Sequence, residues 1–306
     1  MYRRASVLAW IWLHLAALAV APLIADESPR ITADVIYGHK HGMALVFHLY
    51  QPPVANKAAV IQIVSGGYFS GWHTADAGLV SARPFLSRGY TVFSVFHGSN
   101  PKYNVVEIVE DIRRAVRYIR LHAAEYGIDP QRIGVMGGSA GGHLALLLAT
   151  TGDDGQPDAS DFVLRESSRV QAAVALAPPV DLRDPEKLLQ QALERGGIDQ
   201  GGVDRLRPAL SYDPALGASV SPVLHVTHDD APTFLIHGDA DKLVPLENSQ
   251  RMYSALRQAN VHAELVVLAG VGHGSADPKV ASKVTEAVGK AVDWFDKHLV
   301  GVASAE

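Results

Sequence analysis

Gly137-Gly138-Ser139-Ala140-Gly141-Gly142 stands between the apolar residues 132–136 and a second apolar run over 143–150. The first run reads as a short buried strand, and Leu144 to Leu148 reads as the opening of a buried helix. A chain that passes so sharply from strand to helix holds its central residue at a strained backbone angle. Side chains on the flanking residues would strike the strand or the helix, so glycines are needed there. The turn lifts the hydroxyl of Ser139 clear of the sheet and sets it at a helix N-terminus, where negative charge is favoured. Ser139 is a candidate nucleophile.

On either side of this stretch, strand-like and helix-like segments alternate. Residues 43–50, 58–65, 90–97, 132–138, 170–177, 233–238 and 262–268 are short, apolar and often β-branched. Several are apolar on both faces, as in parallel strands covered from both sides. Between them, Val105, Val109, Ile112, Val116, Ile119 and Ala123 recur at spacings of three and four, which predicts a helix ending near Gly127, with Pro130 beyond. Val280, Val284, Val288, Val292, Phe295 and Leu299 predict a last helix of the same kind. The pattern predicts an α/β fold with a mostly parallel, doubly wound sheet and helices on both faces. Residues 184–216 break the rhythm with paired glycines and several prolines, and are expected to form an insertion of one helix and a loop over the carboxyl edge of the sheet.

The totals bound the function. The chain has 306 residues, 48% hydrophobic and 19% charged, enough for a substantial core. A net charge of −5 without a strong block of either sign carries no electrostatic footprint for nucleic acid. The absence of cysteine excludes a thiolate nucleophile, a thiolate metal site and disulfides. His39 and His41, like His225 and His228, are spaced like ligands, but no carboxylate pattern completes a site, so neither metal nor cofactor is expected. Arg3 and Arg4 precede a mostly apolar stretch over 5–24, and the chain turns polar at Asp26. That is the pattern of a signal peptide over 1–25, cleaved after Ala25. Residues 26–306 are then one catalytic domain, and a membrane is involved only if the leader stays on as an anchor.

A serine nucleophile needs a base to take its proton and an acid to orient that base. After Ser139 the chain offers His237-Gly238-Asp239-Ala240-Asp241, directly after the strand-like residues 233–236, and Gly272-His273-Gly274 after the strand-like residues 262–268. Both lie at carboxyl ends of predicted strands, where open α/β sheets build their sites. Asp239 and Asp241 both qualify as the acid. Asp241 is preferred because the loop must first turn away from its strand, whereas Asp239 reads as a turn former. An anionic intermediate needs N–H donors, and Ala140, after the serine, supplies one. Ser65-Gly66-Gly67-Tyr68, after the apolar residues 61–64, supplies the others from Gly67 and Tyr68.

These residues resemble the α/β-hydrolase superfamily, in its acetyl esterase/lipase branch near hormone-sensitive lipase and the BD-FAE group. The resemblance runs from about residue 35 to 299 and rests on Gly66-Gly67 with Gly71-Trp72, Tyr126-Gly127-Ile128-Asp129-Pro130, the glycine-flanked Ser139, and His237 to Pro245 with Gly272-His273. It implies a Ser139–Asp241–His273 triad and an oxyanion hole of Gly67, Tyr68 and Ala140; the activity expected of the chain is hydrolysis of short acyl esters, with acetylated or feruloylated carbohydrate as the substrate considered. The short acyl group is inferred from the lack of any large apolar cap in the sequence. The family usually opens its oxyanion loop with His-Gly-Gly-Gly, so Ser65 is expected to hydrogen-bond in place of the histidine and Tyr68 to narrow the pocket. A small serine peptidase resembling the prolyl oligopeptidase catalytic domain, and a catalytically silent binding module, would share much of this pattern.

Overall fold

A computed structural model describes residues 28–274 and 278–301; the leader over 1–25 lies outside the described residues. Its strands are β1 Arg30–Lys40, β2 Met43–Gln51, β3 Ala59–Val64, β4 Thr91–Phe96, β5 Ile133–Gly138, β6 Ala172–Leu176, β7 Thr233–Gly238 and β8 Ala263–Leu268. The helices are α1 Ala75–Leu86, α2 Val105–Leu121, α3 Ala123–Tyr126, α4 Ala140–Thr151, α5 Phe162–Arg165, α6 Pro185–Glu194, α7 Gln200–Leu206, α8 Glu247–Gln258 and α9 Pro278–Phe295. One eight-stranded sheet runs in the order β1-β2-β4-β3-β5-β6-β7-β8. The β1/β2 and β2/β4 pairs are antiparallel and all the others parallel. The expected α/β-hydrolase arrangement is thus present.

Strand alternation divides the core between the two faces. Val60, Val92, Val174 and Ile236 point to one side, against Ala82 and Phe85 of α1 and Ala287, Ala291 and Phe295 of α9. Their neighbours Ile61, Phe93 and Ala173 point to the other, against the stripe of α2 and against Leu144, Leu147 and Leu148 of α4. Met252 and Leu256 of α8 extend that second layer over Ala175 and Leu235. The start of α2 is fixed by a capping box in which Asn104 and Glu107 bond each other's backbone N–H. Gly127, at φ +69°, ends the short helix that follows.

The C-terminal helix closes the layer beneath the central strands. Phe295 lies so close to Gly134 on β5 that a Cβ there would sit 2.5 Å from the ring. Just beyond, Asp296 accepts from Tyr90 Oη at 2.7 Å and Arg88 Nη1 at 2.6 Å.

Two expectations need correction. The sequence reading omitted β1, an edge strand whose hydrophobic alternation is broken by irregularities between Thr32 and Val35 and between Ile36 and Gly38. The insertion over 184–216 contains two helices rather than one. The second, α7, carries Gly201 and Gly202, poor helix formers, and is started by Asp199, which accepts from Gly202 N–H at 2.7 Å.

Candidate active site

Between β5 and α4, Ser139 takes φ +52° and ψ −119°, a conformation that side chains disfavour. Its own N–H donates to Leu176 O at 2.7 Å, and its carbonyl accepts from His143 N–H at 2.9 Å. The glycines are dictated by contact. A Cβ on Gly137 would lie 2.5 Å from Gly141 O, and one on Gly142 would lie 3.0 Å from Leu176 O.

Loops after β7 and β8 bring Asp241 and His273 to this turn. His273 Nε2 lies 2.8 Å from Ser139 Oγ, and His273 Nδ1 lies 2.6 Å from Asp241 Oδ2. The other carboxylate oxygen of Asp241 accepts from the N–H groups of Leu243 and Val244, both at 2.9 Å. Burial works against an ionised Asp241. Donors from His237, His273 and Val244 outweigh it and hold the carboxyl well below the usual carboxylate range. An ionised Asp241 can only accept, so Nδ1 of His273 carries the hydrogen and Nε2 turns its lone pair to the serine hydroxyl.

Of the two candidate aspartates, it is Asp241 that lies within hydrogen-bond distance of His273. Asp239 has another task. Its Oδ1 accepts from Gly270 N–H at 2.6 Å, tying the β7 loop to the β8 loop rather than to its own backbone.

His237 was quoted in the sequence without a role. It is buried, with Nδ1 at 2.7 Å from Ser249 Oγ, Nε2 at 2.8 Å from Val244 O, and Asp241 Oδ2 within 3.5 Å. The ring therefore braces the loop that presents Asp241. Its signal was the spacing of four residues within His237-Gly238-Asp239-Ala240-Asp241.

Gly66 and Phe69 exchange two backbone hydrogen bonds of 3.0 Å, closing a two-residue turn over Gly67 and Tyr68, with φ values of +56° and +60°. Both residues line the same chamber as Ser139, Ala140 and His273. Among the described residues no backbone carbonyl takes the N–H of Gly67, Tyr68 or Ala140. The expected role of Ser65 is not met: its Oγ is buried, with no hydrogen-bond partner among the described residues. Ser70 ties the segment instead, donating to Val64 O at 2.6 Å and accepting from His97 N–H at 3.2 Å.

The insertion covers this chamber, of about 310 Å³, with Leu188, Leu189 and Ala192 from α6 and Leu206 and Leu210 just beyond. This corrects the expectation that no sizeable apolar cap exists. The spacing of Leu188, Leu189 and Ala192 on one helix face was its sequence signal. Arg195, at the end of α6, is a charged member of the lining, and its Nε donates to Lys242 O at 3.3 Å.

Comparison with known proteins places this arrangement. The BD-FAE family model matches residues 47–256. A probable carboxylic ester hydrolase, LipM of Mycobacterium tuberculosis, is 30% identical over 247 residues, covering 76% of this chain and 54% of that protein. The chain thus spans about half the length of the mycobacterial relatives it matches. An ethyl acetate hydrolase of Pseudomonas putida is 30% identical over 267 residues, covering 81% of this chain and 76% of that protein. Thermogutta terrifontis esterase 2, solved with propionate bound, superposes with a TM-score of 0.69 at 26% identity, covering 91% of this chain and 97% of that one. With the family match extending over more than half of its length, the chain belongs to the BD-FAE family.

Proposed function

We propose that this protein is a serine carboxylic-ester hydrolase that works through an acyl-enzyme. The observation that carries the reading is the unbroken chain from Ser139 Oγ to His273 at 2.8 Å and from His273 to Asp241 at 2.6 Å. In the proposed cycle, Ser139 Oγ attacks the ester carbonyl carbon while His273 Nε2 takes its proton. The carbonyl oxygen becomes an oxyanion held by the N–H groups of Gly67, Tyr68 and Ala140. As the tetrahedral species collapses, the C–O bond to the alcohol breaks and His273 returns the proton to the leaving oxygen. Water then attacks the acyl-enzyme, its proton passing to His273, and the acid leaves as Ser139 recovers its hydrogen. Asp241 keeps the imidazole in its productive tautomer and stabilises the imidazolium.

The acyl group is short. The apolar chamber is compact, and relatives include an ethyl acetate hydrolase and an esterase solved with propionate. The alcohol portion is polar, a carbohydrate or comparable polyol. A second hollow of about 610 Å³, bordered by Asp181, Arg183, Lys187, Glu247 and Arg251, neighbours the chamber and shares Leu188, Arg195, Pro245 and Asn248 with its lining, which supports this reading. The protein is exported, a reading supported by the basic, apolar and then polar order of residues 1–30 and tested by sequencing the N-terminus of the cell-free and membrane fractions.

The test of the reaction uses a fluorophosphonate probe with p-nitrophenyl acetate, butyrate and octanoate, and a proline anilide as the amide control. Labelling and turnover of the short esters are expected. In Ser139→Ala labelling disappears, leaving at most roughly 10³–10⁴-fold acceleration over water. Near-normal turnover in that variant, or preferential cleavage of the anilide, would overturn the assignment.

A further inference from the structure

The turn over Gly67 and Tyr68 is held in an unfavourable shape by residues outside it. A tyrosine at φ +60° is disfavoured against an extended or helical backbone, so something must offset that preference. Two side chains do so, from opposite directions.

The first is Asn100, on the far side of the turn, in a hollow it shares with Gly66, Gly67 and Arg205. Its backbone N–H donates to Tyr68 O at 3.0 Å. Its Nδ2 donates to Gly67 O at 3.4 Å and to Arg205 O, on α7, at 2.6 Å. In a trans peptide the C=O and N–H of one plane point in opposite directions. Drawing the Gly67 carbonyl toward Asn100 therefore aims the Tyr68 N–H away from it, toward the chamber. The Gly66 carbonyl is taken by Phe69 N–H across the turn, which leaves the Gly67 N–H pointing outward from it.

The second is His143, one turn into α4. Its Nε2 lies 2.7 Å from Val220 O and its Nδ1 lies 3.2 Å from Tyr68 Oη. A carbonyl only accepts, so Nε2 carries the hydrogen and Nδ1 receives the tyrosine O–H. Burial holds this imidazole neutral, pushing its pKa down to about 4.

We propose that Asn100 and His143 are positioning residues that aim the oxyanion-hole N–H groups of Gly67 and Tyr68, and that Asn100 sets the cap helix α7 in register with them. This rests on the reading of those N–H groups as oxyanion donors. Leu206 reinforces the register, since a Cβ on Gly67 would lie 2.7 Å from its Cδ2. The arrangement makes the cap part of the catalytic geometry as well as a cover over the chamber.

The test is steady-state kinetics on p-nitrophenyl butyrate for wild type, Asn100→Ala, His143→Gln and Tyr68→Phe, with fluorophosphonate labelling rates and thermal melts. Losing one oxyanion donor outright costs about 10²–10³-fold in kcat. Mis-aiming is expected to cost less, roughly tenfold in Asn100→Ala and His143→Gln and several-fold in Tyr68→Phe. KM should stay within about twofold, and labelling should slow in proportion to kcat. Folded variants with wild-type kcat, or with a raised KM alone, overturn the positioning roles. Should Asn100→Ala fail to fold, the isosteric Asn100→Asp decides, because it removes the Nδ2 donor to Gly67 O while keeping the shape; should His143→Gln fail to fold, Tyr68→Phe decides, because it removes a single oxygen. A labelled wild type with unchanged variants sinks this inference alone, whereas an unlabelled, inactive wild type sinks the esterase reading and this inference with it.

Discussion

Gly137→Ala offers the sharpest test of how the elbow is built. The added Cβ would lie 2.5 Å from Gly141 O, about 1 Å short of ordinary contact at ~3.5 Å. Helix α4 is the element that has to retreat, and its path is limited, because Gly141 is itself packed against the carbonyl of Ile63. The retreat carries Ser139 away from His273, whose 2.8 Å bond has no slack of that size. A misplacement of about 1 Å costs roughly 10²-fold in rate, or about 2.7 kcal/mol of transition-state stabilisation. Overpacking costs ~1–3 kcal/mol of stability, and each kcal/mol lowers Tm by about 2–4 °C in a protein of 150–250 residues, somewhat less in a larger one. The assay is kcat/KM on p-nitrophenyl butyrate beside a thermal melt. Gly289→Ala serves as control, since Gly289 lies on the exposed face of α9 and a Cβ there meets nothing within 4 Å, and stability should rise by about 0.5–1 kcal/mol. A Gly137→Ala enzyme within threefold of wild type, melting at the same temperature, would refute the contact argument.

Three further outcomes follow from the same structure. Asp241→Asn should lose about 10⁴-fold in kcat by disturbing the His273 tautomer, while Asp239→Ala should lose far less and mainly lower Tm, as read by kinetics and melts on both. Burial pushes the imidazoles of both His143 and His97 down to about 4, from an ordinary value near 6.5. The unfolded chain therefore binds more protons in that window, and stability is complete above about pH 6.5 and falls toward pH 4 by roughly 3 kcal/mol for each ring. Melts between pH 8 and pH 5 should be flat and then fall, with a shallower fall in His143→Gln. Finally, Leu188→Trp should crowd the chamber and lower the octanoate-to-acetate ratio of kcat/KM by about tenfold, since each poorly accommodated methylene weakens binding.

The strands β3 to β7 were legible because buried strands of a mostly parallel sheet read as uninterrupted apolar runs, and β2 and β8 because each carries a short apolar stretch of its own. The edge strand β1 was not, because it alternates with polar residues and is broken where Asp34 takes φ +53°. The order of Ser139, Asp241 and His273 was legible because each follows an apolar strand, and the structure brings the three together. What braces them was not legible. His143 lies 75 residues from Tyr68 and 77 from Val220, and no local pattern links such partners. Ser65 illustrates the opposite error: it stands where the resembled family carries a bracing histidine, yet its hydroxyl meets no partner among the described residues.

The C-terminal helix has a consequence for the order of assembly. The backbone of the strand that ends at the serine turn is roofed by Phe295, and nearby Tyr90 finds its carboxylate at Asp296 and Arg88 at Asp293 and Asp296, all from the same end of the chain. A chain delivered N-terminus first therefore has its nucleophile strand bare on one side until almost the last helix arrives. Until then, apolar surface on β5 and its neighbours stays open, a state suited to capture by holding factors and prone to clumping. Completion of this sheet waits on α9, and truncation before Phe295 should leave the chain trapped in that open form.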